Sequence, residues 1–469
     1  MSTSNRTKTA GAPVSPPRNA GNDEARRESW PKVRIGDVLD LINGRAFKPI
    51  EWTDTGLPIV RIQNLNNPAA PFNYYTGELP VKFMLDDEDL LFAWSGTPGT
   101  SFGAHIWRGG KAWLNQHIFK VNFDEQQFDK RFLQLAINQN LNEYIRAAHG
   151  GAGLAHITKG KFEESELPLP PLHEQRLIVA EIEKQFTRLD AGVAALKRVQ
   201  ANLKRYWAAV LKAACEGKLV PTEAELVCKE GQDYETGEQL LARILEERRC
   251  KWQGRGAYPE PPAPDATDLP VLPEGWRWAT VEQVSWVVRG SSPRPAGDRR
   301  YFGGNVPWIT VGPITADNAP YLYAVPETLT EAGRERSRFI EPHTLLLTNS
   351  GATLGVPKIS LIGGCINDGV AALLGVEYPL KLYLVYFLHT QTERLRGVNQ
   401  GAAQPNLNTG IIKALGVPLP PLAEQKRIVA EVERRLSVVE ELEAVVRANL
   451  QRATRLRQAV LRIAFAGGG

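Results

Sequence analysis

One phrase occurs twice in this chain. LPLPPLHEQRLIVAEIEKQFTRLD begins at Leu167, and VPLPPLAEQKRIVAEVERRLSVVE begins at Val417, about 250 residues later. The match continues without a gap on both sides. Ala209-Val210-Leu211 returns as Ala459-Val460-Leu461, Ala214 and Gly217 return as Ala464 and Gly467, and GGAGLAHIT is echoed by QGAAQPNLN. Further upstream LPIVRIQNL (from Leu57) pairs with VPWITVGPI (from Val306), and AWSGT (from Ala93) with TNSGAT (from Thr348). Asn115-Gln116-His117 stands where Asn367-Asp368-Gly369 does, and Trp30 and Trp276 open the two halves. A long internal repeat constrains a fold more than any composition does, because each copy must form the same unit. The chain therefore reads as two similar halves, each a variable globular block followed by a more uniform helical one.

The helical blocks carry a narrow apolar stripe. From Val179 it runs through Ile182, Phe186, Leu189, Val193, Leu196, Leu203, Trp207, Val210 and Ala214 in alternating steps of three and four, with Gln200 as its polar member. That spacing predicts a coiled-coil seam. The second stripe reads Val429, Val432, Leu436, Val439, Leu442, Val446, Asn449, Ala453, Leu456, Val460 and Ile463, with a register slip at Leu442. The alternative for either helix is packing along a globular core. The prolines hold the entry extended. Glu174 and Glu424 fall in the first turn, at the positive end of the helix dipole. Gly217 and Gly467 fall where a glycine ends a helix. A helix of more than 40 residues is roughly 65 Å long at about 1.5 Å per residue. With a one-sided seam it needs a partner, and the nearest is its own repeat, antiparallel.

These patterns divide the chain into a disordered tail over residues 1–29, a first globular block at 30–166, a first helical block at 167–217, a linker at 218–275, a second globular block at 276–416 and a second helical block at 417–469. The tail is polar and has no apolar core of signal-peptide length. The linker holds a short amphipathic helix with Thr236 and Gln239 as a capping box and Leu240, Leu241, Ile244 and Leu245 on its apolar face. Its face either packs on the coiled coil or docks a partner subunit. In the globular blocks, runs such as LPIVRI, DLLFAW, HIFKVNF, TLLLTNS and GVAALLGV read as strands. DKRFLQLAINQNLNEYIRAA and PLKLYLVYFLHTQTERLRGV read as helices. The expected fold class is α+β: two similar domains joined by two long antiparallel coiled-coil helices with pseudo-twofold symmetry.

Motifs of chemistry are missing. No stretch matches the phosphate loop G-x-x-x-x-G-K-[ST], no H-E-x-x-H or nucleophile elbow G-x-S-x-G occurs, and Asn67-Pro68-Ala69 is not the motif of amino-methyltransferases. The glycines from 150 to 153 lack the order of a dinucleotide site. Cys215, Cys228, Cys250 and Cys365 form no C-x-x-C pair, so no metal is expected, and scattered free thiols suit a reducing cytoplasm. No apolar run approaches the length that spans a bilayer. The chain thus reads as a recognition protein rather than an enzyme.

A net charge of +4 permits nucleic-acid binding without singling it out. Two arginine-rich stretches, RGSSPRPAGDRRYF and GRERSRF, offer Arg294, Arg299, Arg300, Arg334 and Arg336. NGRAFKPIEW offers Arg45 and Lys48. Guanidinium forks fit guanine edges and phosphates, though a charge run equally forms a solvated face. Gln63, Asn64, Asn115, Gln116, Asn349 and Asn367 border apolar strands, where they either cap turns or meet bases.

The two PLPPL-x-EQ-x-x-IVAE phrases with their long helices, the run GAAQPNLNTGIIKALGVPLPP and the opening RGSSPRP…YFGGNVPWITVGPI together resemble the specificity subunits of type I restriction–modification enzymes. The first half departs from the pattern, with GAGLAHITKG where the second keeps GAAQPNLNTG. The resemblance implies that each block reads one half of a split double-stranded DNA site and that the helices set the gap. It implies two methyltransferase subunits as partners, bringing S-adenosylmethionine. Where the system also restricts, motor–nuclease subunits add ATP- and Mg-dependent translocation and cleavage. The chain itself would bind no cofactor, catalyse neither reaction and stay off membranes. Its DNA affinity alone would be weak and salt-sensitive.

Overall fold

In a computed structural model of the chain, the structure describes residues 30–67, 69–96, 101–141, 144, 155–230, 233–265, 267, 269–397 and 406–466. The tail expected at 1–29, Pro68, the glycines at 150–153 and Gly467 lie outside the described residues. Two compact units are formed, one by the chain up to Leu196 with the stretch from Ala448 onward, the other by Lys197–Arg447.

The first unit carries two four-stranded sheets among the described residues. Strands Leu39–Asn43, Ile118–Phe123, Leu90–Ala93 and Gly103–Ile106 lie side by side in that order, all antiparallel. A second sheet orders Asn73–Tyr75, Leu57–Val60, Ala112–Leu114 and Met84–Leu85, with a parallel pair in which Ile59 faces Trp113. The helix Lys130–Gln139 covers the first sheet with Phe132, Leu133, Leu135, Ala136 and Ile137 buried, and Asp129 caps it by accepting from the Phe132 amide at 2.9 Å.

The second unit repeats the plan. Trp286–Arg289, Val370–Leu374, Thr344–Thr348 and Pro357–Ser360 take the same order, extended by Tyr321–Leu322. Thr328–Leu329, Phe302–Ile309, Gly364–Ile366 and Arg338–Ile340 form the other sheet, again with one parallel pair, Trp308 facing Cys365. Helix Leu380–Gly397 is apolar on most of its surface and is buried from Leu382 to Leu388.

Each block closes on itself before its long helix begins. Lys32–Arg34 pairs antiparallel with Glu166–Pro168, and Arg277–Thr280 pairs with Gly416–Leu419. Trp30 Nε1 donates to Glu174 at 3.1 Å, and Trp276 Nε1 donates to Glu424 at 3.0 Å. The following glutamines, Gln175 and Gln425, are fully buried and donate to the carbonyls of Pro170 and Pro420 at 2.9 and 2.8 Å. The repeated Glu-Gln pair therefore seals the corner that the prolines turn.

The long helices run Leu172–Cys215 and Leu422–Ala466. Gly217, with φ +67°, follows the first in the left-handed region, as a terminating glycine should. In the first unit Val460, Leu461, Ala464 and Phe465, late in the second helix, pack among Val179, Ile182 and Phe186, early in the first. Arg457 pairs with Asp190 at 2.8 Å and lies over the Phe186 ring. In the second unit Ile428, Val429, Val432 and Leu436, early in the second helix, pack with Val210, Leu211 and Ala214, late in the first. The segments run antiparallel in both units.

The expected register slip is corrected. Leu442, Leu456 and Ile463 are 45%, 51% and 73% exposed, while Val446 is buried. The seam continues unbroken from Val439 through the half-buried Glu443 to Val446, and then through the half-buried Leu450, Ala453, Val460 and Ala464. Two polar residues, Glu443 and Arg457, occupy regular seam positions, so the apolar residues beside them imitate a slip.

The short helix Gly237–Cys250 has its capping box, with the Gln239 amide donating to Thr236 Oγ1 at 3.2 Å. Leu240 and Leu241 are buried in the core that holds Val210, Leu211 and Ala214, and Ile244 and Leu245 pack against it. Arg248, also buried, donates to the carbonyls of Glu282 and Ser285 and lies 4.0 Å from the Trp286 ring centre. Of the two expectations for this helix, packing takes up its apolar face. A further helix, Glu223–Glu230, precedes it.

Candidate nucleic-acid interface

In each unit, four segments meet at the ends of the paired sheets. One is the turn after the strand Ala112–Leu114 or Gly364–Ile366, another is the segment after Leu90–Ala93 or Thr344–Thr348, a third follows the glycine Gly44 or Gly290, and a fourth leads into Ile157 or Leu407. Their backbone bonds match one for one. The Asn115 amide donates to Val60 O at 3.3 Å, and Asn367 to Ile309 O at 3.1 Å. The Trp94 amide donates to His117 O at 3.3 Å, and Asn349 to Gly369 O at 2.9 Å. Ile157 donates to Trp94 O at 3.0 Å, and Leu407 to Asn349 O at 2.7 Å. Arg45 donates to Leu114 O at 3.0 Å, and Ser291 to Ile366 O at 3.1 Å. Glycine is required at 44 and 290, because a Cβ there would lie 2.1 Å from the carbonyl oxygen of Asn115 or Asn367.

Four of the residues singled out from sequence belong to this frame: Asn115, Gln116, Asn349 and Asn367. Arg45 is part of it through its backbone, but its guanidinium pairs with Glu51 and lies 4.8 and 5.2 Å from the rings of Phe47 and Tyr75. Hydrogen bonds from the Lys48 amide and from Arg45 hold the Glu51 carboxyl below its ordinary range. Lys48 itself is exposed. Asn64 is a turn-former: it is buried, accepts from the Arg61 amide at 3.1 Å and donates to the carbonyls of Ala70 and Pro71. Gln63, exposed, donates to Pro71 O at 3.3 Å.

The two arginine-rich stretches are brought together. Ser337 Oγ donates to Ser291 O at 2.7 Å, and Thr330 Oγ1 donates to Arg300 O at 2.6 Å. Arg294 is 72% exposed and lies 3.7 Å from Asp368. Arg299 and Arg336 are exposed. Arg300 is held bidentately by Asp298, and Arg334 by Glu331 and the Phe339 ring. Charge is therefore more available at 294, 299 and 336 than at 45, 300 and 334.

Several residues of the region were not anticipated. In the first unit the Trp94 ring lies between His117 (5.2 Å) and His156 (4.7 Å) and donates Nε1–H to Asn43 at 3.2 Å. Burial lowers the His117 pKa, with the neighbouring His156 and Arg61 adding to the effect. In the second unit Arg289 Nε donates to the Asp368 carbonyl at 2.9 Å, and Ser292 Oγ donates to its carboxylate at 2.5 Å. Aligning AWSGT with TNSGAT was the available signal, since it sets Trp94 opposite Asn349.

Some buried polar atoms here make no hydrogen bond within the protein: Gln116 Oε1 and His117 Nδ1 in the first unit, and Asn367 Oδ1 with both amide atoms of Asn349 in the second. Among the described residues no cluster of His, Cys, Asp and Glu is arranged to hold a metal ion, and no helix is long and apolar enough to cross a membrane.

The sequence profile of the type I restriction modification DNA specificity domain matches residues 27–201 and 273–445. The chain is 26% identical over 456 residues to the type I restriction enzyme EcoBI specificity subunit of Escherichia coli, covering 94% of this chain and 86% of that one. It is 22% identical over 465 residues to the MjaVIII specificity subunit of Methanocaldococcus jannaschii, covering 94% and 93%. Among solved structures, a chain from work on complex assembly and conformational transition of the type I R-M system superimposes with a TM-score of 0.60. It is 22% identical and is matched over 93% of this chain and 97% of its own.

Proposed function

The chain belongs to the type I restriction modification DNA specificity family, and from that membership we propose that each unit reads one half of a split duplex target while the long helices fix the distance between the halves. Specificity subunits are the non-catalytic, DNA-recognising components of these systems. The observation that carries the finer reading is the duplication itself. One module, a closed two-sheet block followed by a long helix, occurs twice, and the family profile matches both copies.

In this reading, exposed arginines such as Arg299 and Arg336 meet phosphates and fix orientation. Polar side chains of the matched frames meet base edges in the major groove. Two methyltransferase subunits dock on the scaffold and bring S-adenosylmethionine. Motor–nuclease subunits, where present, bring ATP and Mg. The chain confers sequence choice on both reactions and works in the cytoplasm.

The test is a genome-wide map of methylated adenine made with this chain and its cognate methyltransferase. A second map uses the chain with residues 276–415 replaced by the block of a relative. A bipartite motif that changes in one half only supports the reading. Methylation that does not depend on the chain, although the chain is folded and bound to its partner, rejects it.

A further inference from the structure

The two frames keep their backbone and change their side chains. Gly44 and Gly290, Asn115 and Asn367, and Ser95 and Ser350 are the same at matched positions, and these residues build the frame. At the positions between them the residues differ: Gln116 against Asp368, His117 against Gly369, Trp94 against Asn349, and His156 against Asn406. The exchanges are among polar, aromatic and small residues. None swaps one aliphatic core residue for another, so packing alone does not account for them.

Both frames also hold polar atoms with no partner in the protein. Gln116 Oε1 and His117 Nδ1 do so in the first, and Asn367 Oδ1 and the Asn349 amide in the second. An unsatisfied buried polar group destabilises a fold. The feature recurs in both frames, at different positions of each.

We propose that this frame is the reading head of each half, resting on the DNA-specificity reading above, and that the matched pair Gln116 and Asp368 sets which base pair each half accepts. Gln116 carries a carboxamide whose Oε1 is buried and whose Nε2 lies 3.3 Å from His117 Nε2; turned out of that contact, it pairs bidentately with the N6 and N7 edge of adenine. Asp368 presents an acceptor-only carboxylate beside Arg294, at 3.7 Å. Together they match a G·C pair, the carboxylate accepting from cytosine N4 and the guanidinium forking onto guanine O6 and N7. The first half-site therefore contains an A·T pair read through Gln116, and the second a G·C pair read through Asp368 and Arg294.

The experiment uses the full chain assembled with its methyltransferase partner. Gln116→Ala and Asp368→Ala are compared with wild type by methylated-adenine mapping. The purified complexes are also titrated against duplexes carrying all four base pairs at each position of the motif. Gln116→Ala is expected to relax one A·T position of the first half by roughly ten- to a hundredfold and to leave the second half as it was. Asp368→Ala is expected to relax one G·C position of the second half alone. An unchanged motif, a change in both halves, or a uniform loss of affinity without change of preference overturns the proposal. If the wild-type chain itself confers no motif, the specificity reading fails instead, and the two failures are distinct.

Discussion

Single side chains reveal how the second unit responds to acid. His389, on the helix Leu380–Gly397, stacks edge-on against Trp207 at 5.1 Å. Burial, helped by the charge of Lys358, pushes its pKa down to about 4. In the unfolded chain a histidine titrates near 6.5. Above that pH the imidazole is neutral in both states and its contribution is complete. As pH falls from about 6.5 toward about 4, the unfolded state takes up a proton that the folded state refuses, and up to about 3 kcal/mol of stability is lost. Thermal melts between these pH values should show that slope for the wild type, and His389→Phe should flatten it. Residues of this kind are hard to read from sequence, because what matters is which ring the fold lays against them. The same holds for the interface. Asn115, Gln116, Asn349 and Asn367 stand out as polar residues at strand ends, and each pair belongs to the frame of its own unit. Asn64 looked alike in sequence but spends its amide on a turn. Arg45 looked free, but Glu51, six residues on, pairs with it.

At the scale of elements, periodicity was the most legible signal. Strands alternate or run apolar over short stretches, the helices carry their stripes, and Thr236 and Gln239 cap as their spacing demands. What misled was the second seam. Apolarity alone put Leu442, Leu456 and Ile463 in it, yet regular heptads place Glu443 and Arg457 there instead. A long polar side chain can occupy a seam position by lying along its neighbours, as Arg457 does over Phe186 and against Asp190. The difference is measurable. Leu442→Ser should change stability by no more than about 0.5 kcal/mol, whereas Val446→Ala should cost about 2 kcal/mol. Equal costs in denaturant titrations would restore the slipped register.

For the whole molecule, the division into two similar halves was visible because the helical repeat is long and runs without a gap from Gly151 and Gly401 onward. The interleaved strand order within each block was not, because parallel and antiparallel neighbours far apart in sequence leave no local mark. The proposed role of the long helices makes a quantitative prediction. One heptad adds about 10 Å to a helix, close to the rise of three base pairs of duplex. Inserting one heptad in both helices, between residues 193 and 200 and at the matched place in the second, should lengthen the unspecified gap of the methylated motif by about three base pairs. The half-sites themselves should stay the same. A motif with its original gap would remove the helices from that role.

The corner where each block begins and ends has a consequence for heredity. The entry strand Lys32–Arg34 is hydrogen-bonded to the exit strand Glu166–Pro168, and Trp30 is tied to Glu174 just beyond it. Arg277–Thr280, Gly416–Leu419, Trp276 and Glu424 do the same in the other half. A segment whose two ends touch can be cut out and replaced by any segment with the same ends, and the rest of the chain keeps its course. The sequence at the exit of each block is also where the two halves are most alike, so it supplies homology for recombination. Under the proposed function, an exchange at the two ends of a block would hand a lineage a new half-target in one generation.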